Sequence, residues 1–196
     1  MKAKTTIKAL LLSLCAVLLV SVSVFSTIAF LKSSDSVTNT FTVGKVAITL
    51  DEAKVNAYGV ADTAAGRVKE NTYKLIPGHK YTKDPTVHFA AGSEESYLFV
   101  KVENGISAIE ADAKIEAQIL ANGWAKLDEN AGIYYKKVAA NKTNAAVDYP
   151  VFAGFAVADT ADVASCKDAK ITITAYAIQA DGFDTASAAW TAGSFQ

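Results

Sequence analysis

Residue types that could do chemistry are scattered along this chain. His79 and His88 stand nine residues apart with Asp84 between them, which is not the His-Glu-x-x-His spacing of a zinc site. Cys166 could act as a nucleophile only if a histidine and an acid met it in space, which nothing in the sequence supports, and no Gly-x-Ser-x-Gly motif offers a nucleophilic serine. We therefore predict no catalytic residues, no metal site, no cofactor and no enzymatic activity.

Paired carboxylates are the next candidates, because two of them can share a proton or a cation. Such pairs occur at Asp51/Glu52, Glu94/Glu95 and Asp128/Glu129. Each lies at a predicted strand end or turn, where a solvated charge is the ordinary outcome. Asp51/Glu52 or Asp181/Asp184 could bind calcium outside a cell, but no loop has a calcium-ligand pattern.

The charge balance narrows the class of partner. Of the 19 basic residues of the chain three precede residue 30, which leaves 16 against 20 acidic residues after it. This mildly acidic mixture argues against nucleic acid as a partner and provides no polybasic patch for anionic lipid. Cys166 is the single cysteine after residue 30, so the domain cannot form an internal disulfide and its fold must rest on a hydrophobic core.

Short alternating segments separated by turn signals predict a β-sandwich or jelly roll in one domain over residues 41–196. The predicted strands are residues 41–50, 73–76, 86–90, 97–103, 124–127, 133–138, 147–157 and 170–179. Tyr134 and Tyr135 could form an exposed binding patch, but cross-strand packing is the ordinary role of such a pair.

The residue patterns of two predicted strands indicate how they lie in the sheet. In residues 97–103 we expect Leu98, Val100 and Val102 to face inward, while Tyr97 and Phe99 face outward. Residues 170–179 are largely apolar or aromatic on both faces, which indicates a central strand.

One segment, residues 107–121, changes to helical spacing and predicts an amphipathic helix inserted in the β domain. Ser107 and Glu110 form a capping box at its predicted start, and Leu120 lies on its apolar face. Asn122-Gly123 ends it. Short helical turns are expected after residue 158 and before Trp190.

The first residues predict export. Residues 9–31 form an uncharged, mostly apolar run preceded by three lysines. Small residues at 27 and 29 fit a signal peptide over residues 1–29, cut between Ala29 and Phe30. The run is also long enough for a retained membrane anchor, and that alternative stays open. In either case the lysines stay in the cytoplasm and the domain is exported.

Several stretches together resemble one family. They are the Ala29-Phe30 junction, residues 37–46, residues 75–87, and residues 175–183 followed by Ala189-Trp190. They look like the TasA/camelysin-like proteins of Gram-positive bacteria, whose signal peptides are handled by a SipW-type signal peptidase. The resemblance implies a jelly-roll subunit that is exported, cut before Phe30 and polymerised into extracellular matrix or biofilm fibres. The metallopeptidase activity described for camelysin is not carried over, because no zinc motif occurs here.

The resemblance also implies that the N-terminal segment adds as a strand to the neighbouring subunit after cleavage. Residues 30–40 would serve as the tether or donor segment, with Phe30, Phe41, Val43 and Val46 as donor residues. The expected partners are further copies of this chain, the signal peptidase and other matrix proteins, with membrane contact only through the N-terminal segment. The expected location is secreted, in the extracellular matrix or at the cell surface.

Two other functions remain open at this stage. The first is a cell-surface adhesion or binding module that stays monomeric or membrane-anchored. The second is a secreted hydrolase, for which a chelator-sensitive peptidase assay would be the test.

Overall fold

The computed structural model describes residues 7–8, 10–19, 44–111, 114–127 and 132–195. It divides into two compact units, Met1–Thr42 and Val43–Gln196. In the first unit, residues 7–8 and 10–19 are helical. No helix within the described ranges has the length and apolarity required to cross a membrane. The predicted cleavage residues Ala29 and Phe30, and the predicted donor residues Phe41 and Val43, lie outside the described residues.

The second unit is mainly β, as the alternating segments predict, and its sheets are antiparallel. Its strands are β1 (Ile48–Asp51), β2 (Lys80–Thr82), β3 (Thr86–Phe89), β4 (Ser96–Asn104), β5 (Ala125–Lys126), β6 (Ile133–Val138), β7 (Val147–Pro150), β8 (Gly154–Ala156) and β9 (Ile171–Gln179). They form a three-stranded sheet in the order β1-β3-β7, a two-stranded sheet β2-β8, and a four-stranded sheet in the order β5-β6-β4-β9.

Among the described residues of this unit, two α-helices and one 3-10 helix accompany the strands. Helix α1 is Ile115–Ala121, the 3-10 helix is Val163–Cys166, and helix α2 is Ala186–Gly193. Thr185 caps α2, because its hydroxyl accepts a hydrogen bond from the Ala188 backbone N–H at 3.2 Å. This cap fixes where the C-terminal helix begins.

One hydrophobic cluster lies against the inner face of the four-stranded sheet and takes side chains from all three sheets. Its largest fully buried members are Phe89, Leu98, Ile115, Ile119, Trp124 and Phe152. Val46, Ile48 and Leu50 pack against it on one face of the chain, as their alternation predicts. The strand itself begins later than predicted, at Ile48.

A second hydrophobic cluster covers the opposite face of β4, and it corrects the prediction for that strand. Leu98 and Val100 are buried in the first cluster, as predicted. Tyr97 and Phe99, predicted to face outward, are only 5% and 0% exposed. They pack in the second cluster under α2, whose Trp190 ring lies 5.2 Å from the Phe99 ring. Strand β4 is therefore buried on both faces.

Strands β6 and β4 hold the inner positions of the four-stranded sheet, whereas the sequence pattern predicted a central strand at residues 170–179. Strand β9 pairs with β4 over the register Ser96↔Gln179 to Asn104↔Ile171. Within the described ranges no strand lies on the other side of β9. Its apolar faces are explained by the two clusters, since Ile173 and Ala177 pack on the first and Ile178 packs on the second.

The inserted helix is present but shorter than predicted. It begins at Ile115 rather than at the predicted capping box, and Leu120 is 47% exposed. Glu110 still caps it from outside, because its carboxylate accepts a hydrogen bond from the Ile115 N–H at 3.2 Å. Asn122 and Gly123 end the helix as predicted.

Two further predictions have clear outcomes. The hairpin of β5 and β6 is confirmed, with Ala125 opposite Tyr135 and Lys126 opposite Tyr134. The predicted strand at residues 73–76 is wrong, because these residues join no sheet. Tyr73 is instead held by side-chain contacts, among them a hydrogen bond from its hydroxyl to the Thr82 carbonyl at 3.1 Å.

Candidate functional site

The structure places the candidate residues of the sequence in separate regions. His79 contacts the Tyr58 carbonyl through Nε2 at 2.9 Å, whereas His88 lies on β3 between two aspartates. No group of three or more metal-ligating side chains occurs among the described residues. Cys166 is buried in the first hydrophobic cluster.

The predicted aromatic and acidic candidates are also accounted for. Tyr134 is buried in the first cluster and Tyr135 packs on the second. Of the two predicted alternatives, cross-strand packing is therefore confirmed and an exposed binding patch is not formed. Glu95 and Asp181 line an open, largely polar depression together with Lys137, whose ammonium lies 2.8 Å from the Glu95 carboxylate. Asp128 and Glu129 lie outside the described residues.

A charged network on the three-stranded sheet is a feature that sequence spacing did not reveal. His88 stands opposite Asp148 in the β3–β7 ladder, and its Nδ1 lies 2.6 Å from that carboxylate. Its Nε2 lies 2.8 Å from Asp51, on β1. A neutral imidazole has one N–H, so both contacts are hydrogen bonds only when the ring is protonated. The protonated ring links the central strand to both neighbours.

Arg67 extends this network to the loop between β1 and β2. Its guanidinium forms ion pairs with Asp51 and with Asp84, the latter at 3.0 Å. It also donates hydrogen bonds to the Asp84 carbonyl at 2.9 Å and to the Thr86 hydroxyl at 3.1 Å. Arg67 therefore fastens the loop to β1 and to the start of β3.

The network shifts the protonation equilibria of its members. Burial alone would lower the pKa of His88, but hydrogen bonds and charges from Asp51 and Asp148 raise it above its usual 6.5. Burial alone would raise the pKa of Asp51, yet Arg67 and His88 lower it below 3.8. In the folded protein, His88 thus favours its protonated form and Asp51 its ionised form.

A pH dependence follows from the raised pKa of His88. Its contribution to the free energy of unfolding is complete below about pH 6.5 and disappears as the pH rises through the higher folded pKa. We expect wild type to exceed the His88→Gln variant by about 1 kcal/mol more at pH 6 than at pH 9, measured by urea unfolding. An excess that grows toward pH 9 would refute the proposed charge state.

Beside this network lies a charged group in which Glu52 and Lys83 are buried and Asn71 is half-buried. Glu52 and Lys83 are only 4% and 7% exposed. The Lys83 ammonium donates to Glu52 Oε2 at 2.5 Å, and the Asn71 amide donates to Glu52 Oε1 at 2.9 Å. One carboxylate therefore holds an amine and a carboxamide at the same time.

The predicted donor segment can be located only at its C-terminal end. Val46 packs on the first hydrophobic cluster, and Gly44 lies beside the end of β9. A Cβ atom on Gly44 would stand 3.2 Å from the Gln179 side chain and 3.2 Å from that of Glu94. Gly44 therefore lies next to the last residue of β9.

No protein-family model, no curated protein and no solved structure matches this chain.

Proposed function

We propose that this chain is an exported structural subunit that self-assembles into extracellular matrix or biofilm fibres. Cleavage by a signal peptidase between Ala29 and Phe30 would free the N-terminal segment, which then adds as a strand to a neighbouring copy. The proposal includes the finer fold assignment, a jelly-roll-like β-sandwich, and the resemblance to the TasA/camelysin-like proteins. Other matrix proteins are candidate partners of the same fibres.

The observation that carries the proposal is the position of β9 at the edge of the four-stranded sheet as described. This strand has nine residues, Ile171–Gln179, and its two faces continue the two hydrophobic clusters. A strand added beside it would satisfy backbone groups along the edge and bury alternate side chains on both clusters. Long apolar edges of this kind favour pairing with another strand.

The reach of the donor segment fits this edge. Residues 30–43 span up to roughly 46 Å when extended, at about 3.3 Å a residue, whereas nine residues of strand need roughly 30 Å. The segment joins the domain at Gly44, beside Gln179. It is long enough to leave its own domain and still cover a strand of another copy.

The test compares two starting points of the protein. Protein that begins at Phe30 should polymerise, as seen by size-exclusion chromatography and negative-stain microscopy, whereas protein that begins at Gly44 should stay monomeric. Val43→Asp should abolish fibres, while Val43→Ile is the matched control, because it keeps an apolar β-branched side chain at the same position. If the proteins that begin at Phe30 and at Gly44 polymerised equally, the proposed role of the donor segment would be refuted.

Cleavage itself can be tested in the full chain. A bulky residue at the cleavage point, Ala29→Tyr, should leave membrane-bound monomer, because a tethered donor cannot pass between subunits. Unchanged fibres from that variant would contradict cleavage as the switch. A monomer in every arm would favour the alternative function, an adhesion or binding module at the cell surface.

A further inference from the structure

The group formed by buried Glu52 and Lys83 and half-buried Asn71 has an arrangement that suits a reaction between its own side chains. Lys83 Nζ and Asn71 Nδ2 are bound to the two oxygens of the same Glu52 carboxylate, at 2.5 and 2.9 Å. The amine and the carboxamide are thus bound to one carboxylate, which can move a proton between them.

The Asn71 carboxamide is also polarised. Its oxygen accepts a hydrogen bond from the Val55 backbone N–H at 2.9 Å, and its nitrogen donates a second bond to the Ala53 carbonyl at 2.9 Å. The Val55 N–H points at the atom on which negative charge would develop if a nucleophile attacked the amide carbon. A fixed backbone donor at that place lowers the cost of the attack.

The amine lies in poorly solvated surroundings. Lys83 lies 6.0 Å above the Tyr73 ring and is almost fully buried, as is Glu52. Burial, assisted by the charges of Glu52 and Asp84, raises the pKa of Tyr73, which shows how poorly solvated this region is. In such surroundings transfer of a proton from the ammonium to the carboxylate removes two buried charges at once.

We propose that Lys83 and Asn71 form an intramolecular amide cross-link, with Glu52 as the catalytic acid and base. Glu52 takes a proton from the Lys83 ammonium, and the free amine attacks the Asn71 side-chain carbonyl carbon. The tetrahedral oxygen is held by the Val55 N–H. Glu52 then passes that proton to the Asn71 nitrogen, which leaves as ammonia, and accepts the second proton of Lys83 Nζ, so that it ends as a neutral carboxylic acid.

The balance of the reaction is complete within these residues. The Lys83 Nζ–Asn71 Cγ bond forms, the Asn71 Cγ–Nδ2 bond breaks, and one ammonia molecule departs. No oxidant, reductant, nucleotide or water is consumed. The product is a neutral secondary amide, which is easier to bury than the ion pair that it replaces.

The cross-link would also stabilise the fold. It would close the segment between residues 71 and 83, where residues 71–76 join no sheet. The domain after residue 30 has one cysteine and no internal disulfide, so a covalent bond of another kind would supply the missing constraint on the unfolded chain.

Mass spectrometry of the purified full chain tests the proposal directly. The folded protein should be lighter than its sequence by one ammonia, about 17 Da, the leaving group of amine attack on a carboxamide. Trypsin does not cut after an amide-linked lysine. The digest should therefore contain residues 70–74 joined to residues 81–101, with fragment ions that place the bond at Asn71 and Lys83.

Three variants separate this reaction from other losses of ammonia. Lys83→Arg keeps a cation for Glu52 but has no amine that can attack, and it should retain the full mass. Glu52→Gln should also retain it, because the proton carrier is gone. Lys80→Arg, an exposed lysine of β2, is the matched control and should still lose ammonia.

Two results would overturn the proposal. The first is folded wild-type protein with the full mass of its sequence and no joined peptide. The second is an ammonia loss that persists in Lys83→Arg, since that would indicate cyclisation of Asn71 on its own backbone. Because Lys83→Arg preserves the charge beside Glu52, it also keeps the test valid if Glu52→Gln does not fold.

Discussion

Phe99→Ala is expected to lower the free energy of unfolding by about 3–5 kcal/mol, the usual cost of removing a fully buried aromatic ring. The Phe99 side chain is 0% exposed, and its ring lies 5.2 Å from Trp190 and 5.9 Å from Phe195. The substitution removes the surface on which α2 rests. We therefore expect the C-terminal helix to detach in the variant before the rest of the domain unfolds.

Urea unfolding followed by tryptophan fluorescence measures both effects. Phe89→Ala is the matched control, because Phe89 is equally buried but belongs to the first cluster. It should lose similar stability while the native Trp190 emission is kept, whereas Phe99→Ala should shift that emission to longer wavelength in the native state. A loss below about 1 kcal/mol in Phe99→Ala would mean that the second cluster is not a core.

Phe99 shows which features of β4 can be predicted from the sequence and which cannot. Alternation along residues 97–103 correctly separates the two faces of β4, because side chains in a strand alternate strictly. It cannot say that both faces are covered. The cover is α2, which follows about ninety residues later in the chain, and its packing is a long-range contact without a local signal. For the same reason β9 seemed central, since an edge strand between two clusters is as apolar as a central one.

The buried charges were harder to predict than the fold. Asp51/Glu52 was expected to be a solvated pair at a strand end, and Asp51 does keep partial contact with solvent. Glu52, the next residue, points to the opposite side and is buried with Lys83. Their partners come from other elements, at positions 67, 71, 83 and 88, and no spacing rule joins them. The one hint of these contacts in the sequence is the many polar residues of the loop that follows β1.

Lys83→Met is expected to be less stable than the Glu52→Gln/Lys83→Met double variant by about 3 kcal/mol. The single variant leaves a carboxylate in a site that is 4% exposed, without a cation beside it. Breaking a buried ion pair costs about 3–5 kcal/mol for this reason, whereas replacing both partners by neutral residues of similar volume is often close to neutral. Replacing Glu52 as well should therefore restore most of the stability that is lost when Lys83 alone is replaced.

The comparison is informative because neither variant has an amine at position 83. Neither can form the cross-link, so their difference in unfolding free energy, measured by urea titration, reports the buried charge alone. The exposed pair Glu116–Lys126 provides the same two residue types at 53% and 48% side-chain exposure. There Lys126→Met and Glu116→Gln/Lys126→Met should differ by less than about 0.5 kcal/mol, because solvent screens the lone carboxylate. If the buried variants also differ by so little, water reaches Glu52, and the low polarity on which the cross-linking reaction depends is absent.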